Sequence, residues 1–344
     1  MAEYACLRRL CEARGISGDE SAVRAVILEE IRPFCDEVTI TPLGGILARK
    51  KGKSPAARRV MIDAHMDEVG LIVTHISEEG FLSFGCVGGI DRRVLPGCRV
   101  WIGEKPVPGT ILVRPVHLVE KENSGRVPPV EEMVIDIGAA SREEAFQAVQ
   151  PGDSVTFASF FEAGHGAIKS RALDDRAGCA ALIEVLRQEL PFDITASFSV
   201  QEEVGLMGAG TTAFLTRPEV ALVLEATTAA DIPGVDEPRR VCRVGQGPVL
   251  SFMDRNTVYD KALLSLAERT AQQAGIPIQY KQAVAGGNNA GSIHRSAGGL
   301  RTLALSLACR YLHAPVSLIS EKDYGDYIRL AQRLAEVLPA GEEA

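Results

Sequence analysis

The stretch SFSVQEEVGLMGAG, from Ser197 to Gly210, carries two adjacent glutamates, Glu202 and Glu203, at its centre. The β-branched and aromatic residues before them predict a buried strand that stops at the two acids. A glycine-rich turn is predicted to follow, at Gly205, Gly208 and Gly210. Carboxylates at the end of a strand lie at the edge of a sheet, where open α/β folds bind their ligands. One glutamate could therefore bind a metal ion while its neighbour transfers a proton.

The composition of the 344-residue chain is that of an ordinary soluble globular protein, with 46% hydrophobic and 24% charged residues. This length suffices for two domains, or for one large domain with an insertion. The net charge of −8, without a lysine- or arginine-rich run, argues against a nucleic-acid surface. No apolar run approaches the roughly 20 residues that span a bilayer, and residues 1–15 lack the apolar core of a signal peptide. We therefore expect a cytoplasmic protein without a membrane partner, in which the eight cysteines are reduced.

The stretch RRVMIDAHMDEVG, residues 58–70, predicts a buried strand that ends at His65, Asp67 and Glu68. His65 and Asp67 are two residues apart, so on an extended backbone their side chains point to the same side. This spacing suits an imidazole that binds a metal ion while a carboxylate holds its other nitrogen. Taken alone, however, the stretch is explained more simply by a hydrogen-bonded core histidine beside a surface acid.

Residues 70–164 differ in sequence pattern from the rest of the chain, because short β-type runs alternate with Gly and Pro turns. The runs are Leu71–Ile76, Arg99–Ile102, Thr110–Val113, Val134–Ile137 and Ser154–Phe157. This pattern indicates a small β-barrel or β-rich module, with one helix after Ser141 and a loop over residues 120–132. We therefore divide the chain into an inserted module, residues 70–164, and an α/β domain in two parts, residues 1–69 and 165–344.

The α/β pattern around the insertion predicts helices over residues 18–34, 257–274 and 321–338, with Ser17 or Asp19 capping the first. Asp174 and Asp175 begin a further predicted helix, where the helix dipole alone favours acids. A carboxylate at that position could also bridge two metal ions, because both of its oxygens are acceptors.

Six polar residues share one kind of position, at the C-terminal end of a predicted buried strand or at the start of a helix. They are His65, Asp174, Glu202, Glu203, Glu225 and His313. In a mainly parallel sheet such positions converge on one edge. Two imidazoles and several carboxylates suit a pair of zinc-class ions with a shared aspartate or water. Two metals about 3.5–4 Å apart bind a hydroxide and polarise a carbonyl, as amide hydrolysis requires, and a free carboxylate beside them would be the general base.

At these residues the sequence resembles metallopeptidase family 42, the co-catalytic, tetrahedral (TET-type) and glutamyl aminopeptidases, some of which were once labelled endoglucanases. The resemblance is carried by DAHMDEVG (63–70), ALDDRAG (172–178), VQEEVGLMGA (200–209), the strand that ends at Glu225 before DIPG, and the late His313-x-Pro. It covers nearly the whole chain, including the β-rich insertion.

The resemblance implies an α/β fold with a zinc-peptidase-like mixed sheet flanked by helices, interrupted by a PDZ-like or β-barrel dimerisation domain. It also implies that the enzyme removes N-terminal residues from short peptides. Two divalent ions per subunit are implied, with zinc the first choice and cobalt or manganese as alternatives. The subunits would form homo-oligomers, building from dimers to dodecamers.

Carried over by motif, five side chains would bind the two metals: His65, Asp174, Glu203, Glu225 and His313. Asp174 would bridge both ions, with His65 and Glu225 on the first and Glu203 and His313 on the second. Glu202 would be the general base, and Asp67 would position His65.

Two departures from the family pattern affect these expectations. The family usually has Asp where this chain has Glu225, although related di-zinc peptidases use either acid. It also tends to have Thr-Asp where this chain has Asn288 and Asn289, which removes a negative charge near the expected substrate end. A non-catalytic or altered-specificity paralogue of the family, acting as an assembly subunit, therefore remains an alternative to the enzyme.

Two functions from other classes fit less well. GLMGAG (205–210) has its glycines in the wrong order for a dinucleotide-binding fingerprint, and two acids precede it where a pyrophosphate would be repelled. A glycosidase needs two carboxylates about 5–9 Å apart on either side of a sugar bond. Adjacent residues such as Glu202 and Glu203 do not easily meet that requirement.

Overall fold

The computed structural model describes residues 4–120 and 125–341, in which an α/β body is interrupted by a β-barrel. Before the barrel, the body contributes two helices and three strands: α1 (Ala5–Glu12), α2 (Ser21–Ile31), β1 (Glu37–Ile40), β2 (Ile46–Lys50) and β3 (Val60–His65). A 3-10 turn, Arg32–Phe34, continues α2.

The barrel follows β3 directly and confirms the β-barrel prediction for the insertion. Its elements are β4 (Gly70–Ile76), β5 (Leu82–Val87), β6 (Arg99–Ile102), β7 (Val107–Leu112), β8 (Val134–Asp136), α3 (Arg142–Phe146) and β9 (Ser154–Phe157). The six strands close in the order β4-β5-β8-β7-β6-β9 around an apolar interior. Ser141 caps α3 as predicted, because its Oγ accepts the backbone N–H of Glu144 at 3.3 Å.

The sequence did not indicate β5. A glycine inside a short apolar run suggests a turn, but Gly85 instead pairs with Ile72 of β4 inside the barrel wall. Of the predicted loop over residues 120–132, residues 121–124 lie outside the described residues, and Val130–Glu132 forms a 3-10 turn.

After the barrel the chain completes the α/β body. The elements are β10 (Glu162–Gly164), β11 (Ala167–Ser170), α4 (Leu173–Arg187), β12 (Ile194–Ser199), α5 (Met207–Thr216), β13 (Val220–Thr228), β14 (Val249–Leu250), α6 (Lys261–Gln273), β15 (Gln279–Tyr280), α7 (Ala290–Ile293), β16 (Arg301–Cys309), β17 (Ser317–Ser320) and α8 (Glu321–Val337). Among the described residues, no helix has the length and apolar character needed to cross a membrane.

The main sheet has eight strands in the order β1-β2-β12-β3-β13-β16-β14-β15. Its four central strands, β12, β3, β13 and β16, run parallel, while β2 and β14 pair antiparallel with their inner neighbours. The C-terminal ends of the central strands therefore meet at one edge of the sheet. A small antiparallel sheet, β10-β11-β17, lies apart from it.

Helices cover both faces of the main sheet, which explains why its central strands are rich in apolar residues and buried on both faces. Alternate residues of a strand point to opposite faces, so Leu222 and Leu224 of β13 pack in one core cluster while Ala221 and Val223 pack in another. The first cluster contains α4 and α8, and the second contains residues of α5 and α7. Burial of a strand on both faces is the expected arrangement in a parallel sheet.

Three predicted boundaries differ from the structure. Helix α2 begins at Ser21, later than predicted, and neither Ser17 nor Asp19 occupies its N-cap position, which is Glu20. Helix α6 begins at Lys261 because the carboxylate of Asp260 accepts the N–H groups of Ala262 and Leu263, both at 3.0 Å. Strand β13 runs on to Thr228, since it pairs with β16 over nine positions.

The predicted glycine-rich turn is only partly a turn. Gly205 lies in it with φ of 120°, but Gly208 and Gly210 belong to α5. A Cβ atom on Gly208 would lie 2.5 Å from the carbonyl oxygen of Val200, and one on Gly210 would lie 2.4 Å from the Oγ of Ser292. These glycines allow the helix to pack closely against its neighbours rather than ending it.

Candidate metal centre

The six predicted site residues meet at the C-terminal edge of the parallel strands. His65 is the last residue of β3, and Glu202 and Glu203 follow the end of β12 by three and four residues. His313 follows the end of β16 in the same way, and Asp174 lies in the first turn of α4. Glu225 is the exception to the predicted pattern, because it lies within β13, opposite Ser306 of β16.

Asp174 stands between the two histidines. Its Oδ1 lies 3.2 Å from Nε2 of His65, and its Oδ2 lies 3.4 Å from Nε2 of His313. The backbone of Asp174 and Asp175 departs from helical geometry, and their peptide bond is cis. Asp175 does not join the site: its carboxylate is buried and its Oδ1 accepts the N–H of Gly178 at 3.0 Å.

Each histidine also faces a glutamate. Nε2 of His65 lies 3.5 Å from Oε1 of Glu225, and Nε2 of His313 lies 3.2 Å from Oε1 of Glu203. Two groups of three ligand-type side chains result, one around His65 and one around His313, and Asp174 belongs to both. Glu202 forms a further group with His65 and Glu203, with all three ligand atoms within 4.8 Å of one another.

The far nitrogen of each imidazole meets a backbone carbonyl. Nδ1 of His65 lies 3.0 Å from the carbonyl oxygen of Asp67 and 3.4 Å from its Oδ1, and Nδ1 of His313 lies 2.8 Å from the carbonyl oxygen of Gly89. Such contacts fix the orientation of an imidazole and leave Nε2 for a ligand. Gly89 comes from the barrel, and a backbone carbonyl of this kind gives no signal in the sequence.

Asp67 is fully buried, so the interpretation of a core histidine beside a surface acid is wrong. Its carboxylate accepts the backbone N–H of Glu202 at 3.0 Å on Oδ1 and that of Glu203 at 3.1 Å on Oδ2. Together with the contacts to His65, these bonds make Asp67 a link between β3 and the turn after β12. The sequence predicted the link to His65 but not the link to the turn.

Burial of several acids in one place changes their protonation. Burial raises the pKa of Glu225 to about 8, against the opposing charge of His65, and also raises the pKa of Glu202 and Glu203. Asp174 behaves in the opposite way: although burial opposes its ionisation, hydrogen bonds to His313 and His65 hold its pKa well below the ordinary value.

Both histidines are held in the protonated form by the same carboxylates. Burial alone would lower the pKa of His313, but Asp174 and Glu203 raise it to about 11. The charge of Glu225 and the hydrogen bond to Asp174 likewise raise the pKa of His65 well above its ordinary value, against the effect of burial. The cluster therefore attracts positive charge strongly.

The donor set fits divalent cations. Imidazole nitrogens and carboxylate oxygens are the ligands of zinc-class ions, and the positive charge that the acids attract could be a metal rather than a proton. Oε2 of Glu225 is buried and has no hydrogen-bond partner among the described residues. An orphaned carboxylate oxygen beside His65 is expected where a cation completes the site.

A cavity of about 280 Å³ opens in front of these residues. Besides the acids and His313, its wall includes Thr228, Lys281, Gly286 and Gly287. The only sequence signal for Lys281 is that of an isolated lysine near a glycine-rich turn, which does not distinguish a site residue from a surface residue.

Asn288 and Asn289 do not face this cavity, contrary to the expectation that they lie at the substrate end. The amide of Asn288 donates to the hydroxyl of Tyr259 at 2.9 Å, and that of Asn289 donates to Oδ2 of Asp63 at 2.8 Å. Both side chains are buried. The missing negative charge therefore affects the packing beneath the site rather than the wall of the cavity.

Known proteins of one family are similar to this chain over most of its length. The model of the M42 glutamyl aminopeptidase family matches residues 44–330. A protein of Acetivibrio thermocellus, provisionally named an aminopeptidase, is 37% identical over 326 residues, covering 94% of this chain and 96% of its own.

Solved structures show the same similarity along the whole chain. The TET aminopeptidase of Thaumarchaeota archaeon SCGC AB-539-E09, from marine sediment, superposes with a TM-score of 0.94 at 35% identity and covers 100% of this chain and 99% of its own. The TET1 peptidase of Pyrococcus horikoshii, described as assembling into a tetrahedron or a large octahedral shell, has a TM-score of 0.85 at 34% identity, with 96% and 98% coverage. The chain thus belongs to the M42 glutamyl aminopeptidase family, and its enzyme class is that of the aminopeptidases, which are hydrolases.

Proposed function

We propose that the chain is a metal-dependent aminopeptidase that holds two divalent ions and removes N-terminal residues from short peptides. One observation carries the proposal: the two oxygens of Asp174 face two different histidines, at 3.2 and 3.4 Å. A carboxylate in that position can bridge two cations.

In this proposal each ion takes one histidine and one glutamate besides the shared aspartate. His65 and Glu225 hold the first, and Glu203 and His313 hold the second. Zinc fits this mixture of nitrogen and oxygen ligands, and cobalt or manganese are alternatives. When bound, the ions supply a Lewis acid for the peptide carbonyl and lower the pKa of the attacking water.

Glu202 is the general base of the proposed reaction. It lies beside both ligand groups without a histidine partner of its own, so its carboxylate is available to take a proton from water and return it to the leaving amine. Asp67 positions this residue, since it accepts the backbone N–H of Glu202 as well as facing His65.

The non-catalytic alternative rested on Glu225 and the two asparagines, and the geometry of both supports the enzyme instead. The longer arm of Glu225 brings Oε1 within 3.5 Å of His65. Asn288 and Asn289 are buried away from the cavity. A glycosidase is disfavoured because Glu202 and Glu203 lie on one turn, with ligand atoms within 4.8 Å of each other, rather than facing each other across a cleft.

Removal of metal tests the proposal directly. Dialysis of the protein against a chelator should abolish peptide hydrolysis, and zinc, cobalt or manganese should restore it. Metal analysis before dialysis should find close to two ions per subunit. Hydrolysis that persists in verified metal-free protein would contradict the proposal, and protein with two ions but no hydrolysis of any short peptide would favour the assembly subunit.

Assembly into homo-oligomers is the second part of the proposal. It is supported by the likeness to the TET1 peptidase of Pyrococcus horikoshii, described as assembling into a tetrahedron or a large octahedral shell, and we assign the first contact between subunits to the barrel. Dimers would then build larger particles up to a dodecamer. A cytoplasmic location stays a prediction from the sequence.

A further inference from the structure

Glu20 is a buried acid that plays no part in the site described so far. It is 3% exposed and occupies the N-cap position of α2, yet its side chain does not cap that helix. Its Oε1 instead accepts two backbone N–H groups, that of Gly18 at 2.8 Å and that of Gln201 at 3.2 Å. Gln201 immediately precedes Glu202.

The hydrogen bond to Gln201 is one of three in a row. The N–H groups of Gln201, Glu202 and Glu203 are consecutive, and each donates to a buried carboxylate: the first to Glu20, the other two to Asp67. Successive amides that point to one side form a concave anion-binding turn. Here two side chains of the protein itself fill the position of the anion.

The backbone at this turn needs such support. Gln201 has φ of 56°, in the left-handed region that is unfavourable for a residue with a side chain. A conformation of this kind persists only where its surroundings hold it, and it is typical of functional sites. Glu20 accepts the N–H of this very residue.

The segment that carries Glu20 is itself firmly attached. The Oγ of Ser17 donates to Oδ2 of Asp67 at 2.6 Å, and Gly15 accepts the N–H of Glu68 at 3.0 Å. The fully buried guanidinium of Arg176 donates to the carbonyls of Leu10, Ala13 and Gly15. Glu20 is thus a rigid support for the turn rather than a mobile surface acid.

We propose that Glu20 is a positioning residue for the peptidase reaction: it holds the turn that aims Glu202 at the reacting water and Glu203 at its metal. The inference rests on the proposed function, since it assigns Glu20 a task only if Glu202 is the general base. Glu20 itself touches neither substrate nor metal. Its effect is carried through the backbone of Gln201.

Two substitutions separate this role from simple folding. Glu20→Ala removes the acceptor, while Glu20→Gln keeps a neutral acceptor oxygen on a side chain of similar length. Measured with metal in excess, so that a weakened Glu203 site stays filled, Glu20→Ala should lower kcat by about 10–100-fold, the usual range for partners that orient active-site groups, with KM close to wild type. Glu20→Gln should recover most of this loss.

Asp193→Ala is the matched control. Asp193 also accepts a backbone N–H, that of Gly52 at 2.8 Å, but it precedes β12 at the opposite end of the strand from Glu202. Its removal should leave kcat unchanged even if the protein becomes less stable. A loss of kcat in Asp193→Ala equal to that in Glu20→Ala would overturn the inference, because any lost acceptor would then have the same effect.

Amide hydrogen exchange over residues 200–206 of the metal-free protein gives a second measurement that does not need activity. Exchange should be faster in Glu20→Ala and close to wild type in Glu20→Gln and Asp193→Ala. Unchanged exchange and unchanged kcat in Glu20→Ala would overturn the inference. Wild-type protein assayed in parallel keeps the two hypotheses distinct: if it shows no metal-dependent hydrolysis, the proposed function fails, while the exchange data still decide whether Glu20 holds the turn.

Discussion

Two adjacent glutamates meet different partners although they share one turn. Oε1 of Glu203 lies 3.2 Å from Nε2 of His313, whereas Glu202 lies nearer the side of His65 and has no such close histidine contact. Their backbone N–H groups both donate to Asp67, which fixes the turn and lets the two side chains diverge. This divergence supports separate tasks for the two acids.

Substitution by glutamine should separate the two tasks. Glu202→Gln removes the proton-accepting charge but keeps the shape, so kcat should fall by at least about 10²–10⁴-fold, as for loss of a general base. Its metal content should stay near two ions. Glu203→Gln weakens a ligand, so it should lose the second ion and regain activity when metal is added. Metal analysis beside steady-state kinetics on both variants checks this, and the reverse pattern would exchange the two roles.

The protonation of Glu225 predicts how the metal-free protein responds to pH. Burial raises the pKa of this carboxyl from 4.5 to about 8 in the folded state. A raised carboxyl pKa stabilises the folded protein below about pH 4.5, and that stabilisation is lost as the pH rises toward 8. The melting temperature of metal-free protein should therefore fall between pH 5 and 8.

Glu225→Gln is the control for this effect, because glutamine stays neutral over the whole range. Metal-free Glu225→Gln should lose less stability than wild type between pH 5 and 8. Bound metal should also reduce the dependence in wild type, since a cation favours the ionised carboxylate. Identical pH curves for wild type and Glu225→Gln would show that other buried acids set the response.

At the scale of elements, the central strands are the part of the fold that the sequence predicted well. β3, β12 and β16 are rich in apolar and β-branched residues and are buried on both faces, and such short apolar stretches are visible in the sequence itself. Helix α5 escaped prediction because Gly208 looks like a turn residue, whereas it is needed where Val200 approaches. The reason for that glycine lies in a tertiary contact, which local patterns do not contain.

The same distinction applies to the candidate site, of which one part was predictable from the sequence and another was not. Side chains that follow strand ends were identifiable, because the topology of a parallel sheet gathers them whatever the details of packing. Contacts that depend on the insertion or on backbone atoms were not, as the carbonyl of Gly89 at His313 and the amides held by Glu20 illustrate. No sequence pattern predicts that the side chain of Asn289 points toward Asp63 rather than toward the cavity.

The loop after β15 places a lysine side chain in the wall of the cavity. Lys281 lies in the wall, and no other described residue of that wall is a lysine or arginine. Burial lowers the pKa of its ammonium group, which forms no hydrogen bond or ion pair with the described residues. A charged donor without a hydrogen-bond partner in the cavity of the proposed peptidase favours an acidic group on the substrate.

We therefore expect Lys281 to favour peptides with an N-terminal glutamate or aspartate. Lys281→Met keeps the length and removes the charge, so kcat/KM for such peptides should fall by about 10–100-fold, as for the loss of a hydrogen bond to a charged group. Peptides with N-terminal leucine or alanine should be affected little. A panel of peptides that differ only in the first residue measures this, and an equal loss for all of them would mean that Lys281 supports the fold rather than selecting the substrate.

At the scale of the whole molecule, the barrel has two surfaces with different roles. Toward the α/β body it places Gly89 against His313, so it completes the candidate metal centre. Toward solvent it exposes large apolar side chains, notably Val116 at 81% and Leu118 at 58%. Removal of the entire barrel would remove both surfaces at once. Point substitutions on the exposed surface test assembly without disturbing the contact with His313.

Apolar residues exposed to this degree after β7 are expected to meet another surface. If the barrel makes the first contact between subunits, Val116→Asp with Leu118→Asp should place charges in that interface and reduce the particle mass measured by light scattering. Metal content should be retained, because neither residue contacts the site. Phe214→Asp with Leu215→Asp is the matched control, since these residues are 54% and 57% exposed on α5, in the α/β body. If the particle mass falls only in this control pair, the first contact between subunits lies on the α/β body rather than on the barrel. The insertion would then not have its proposed role in assembly.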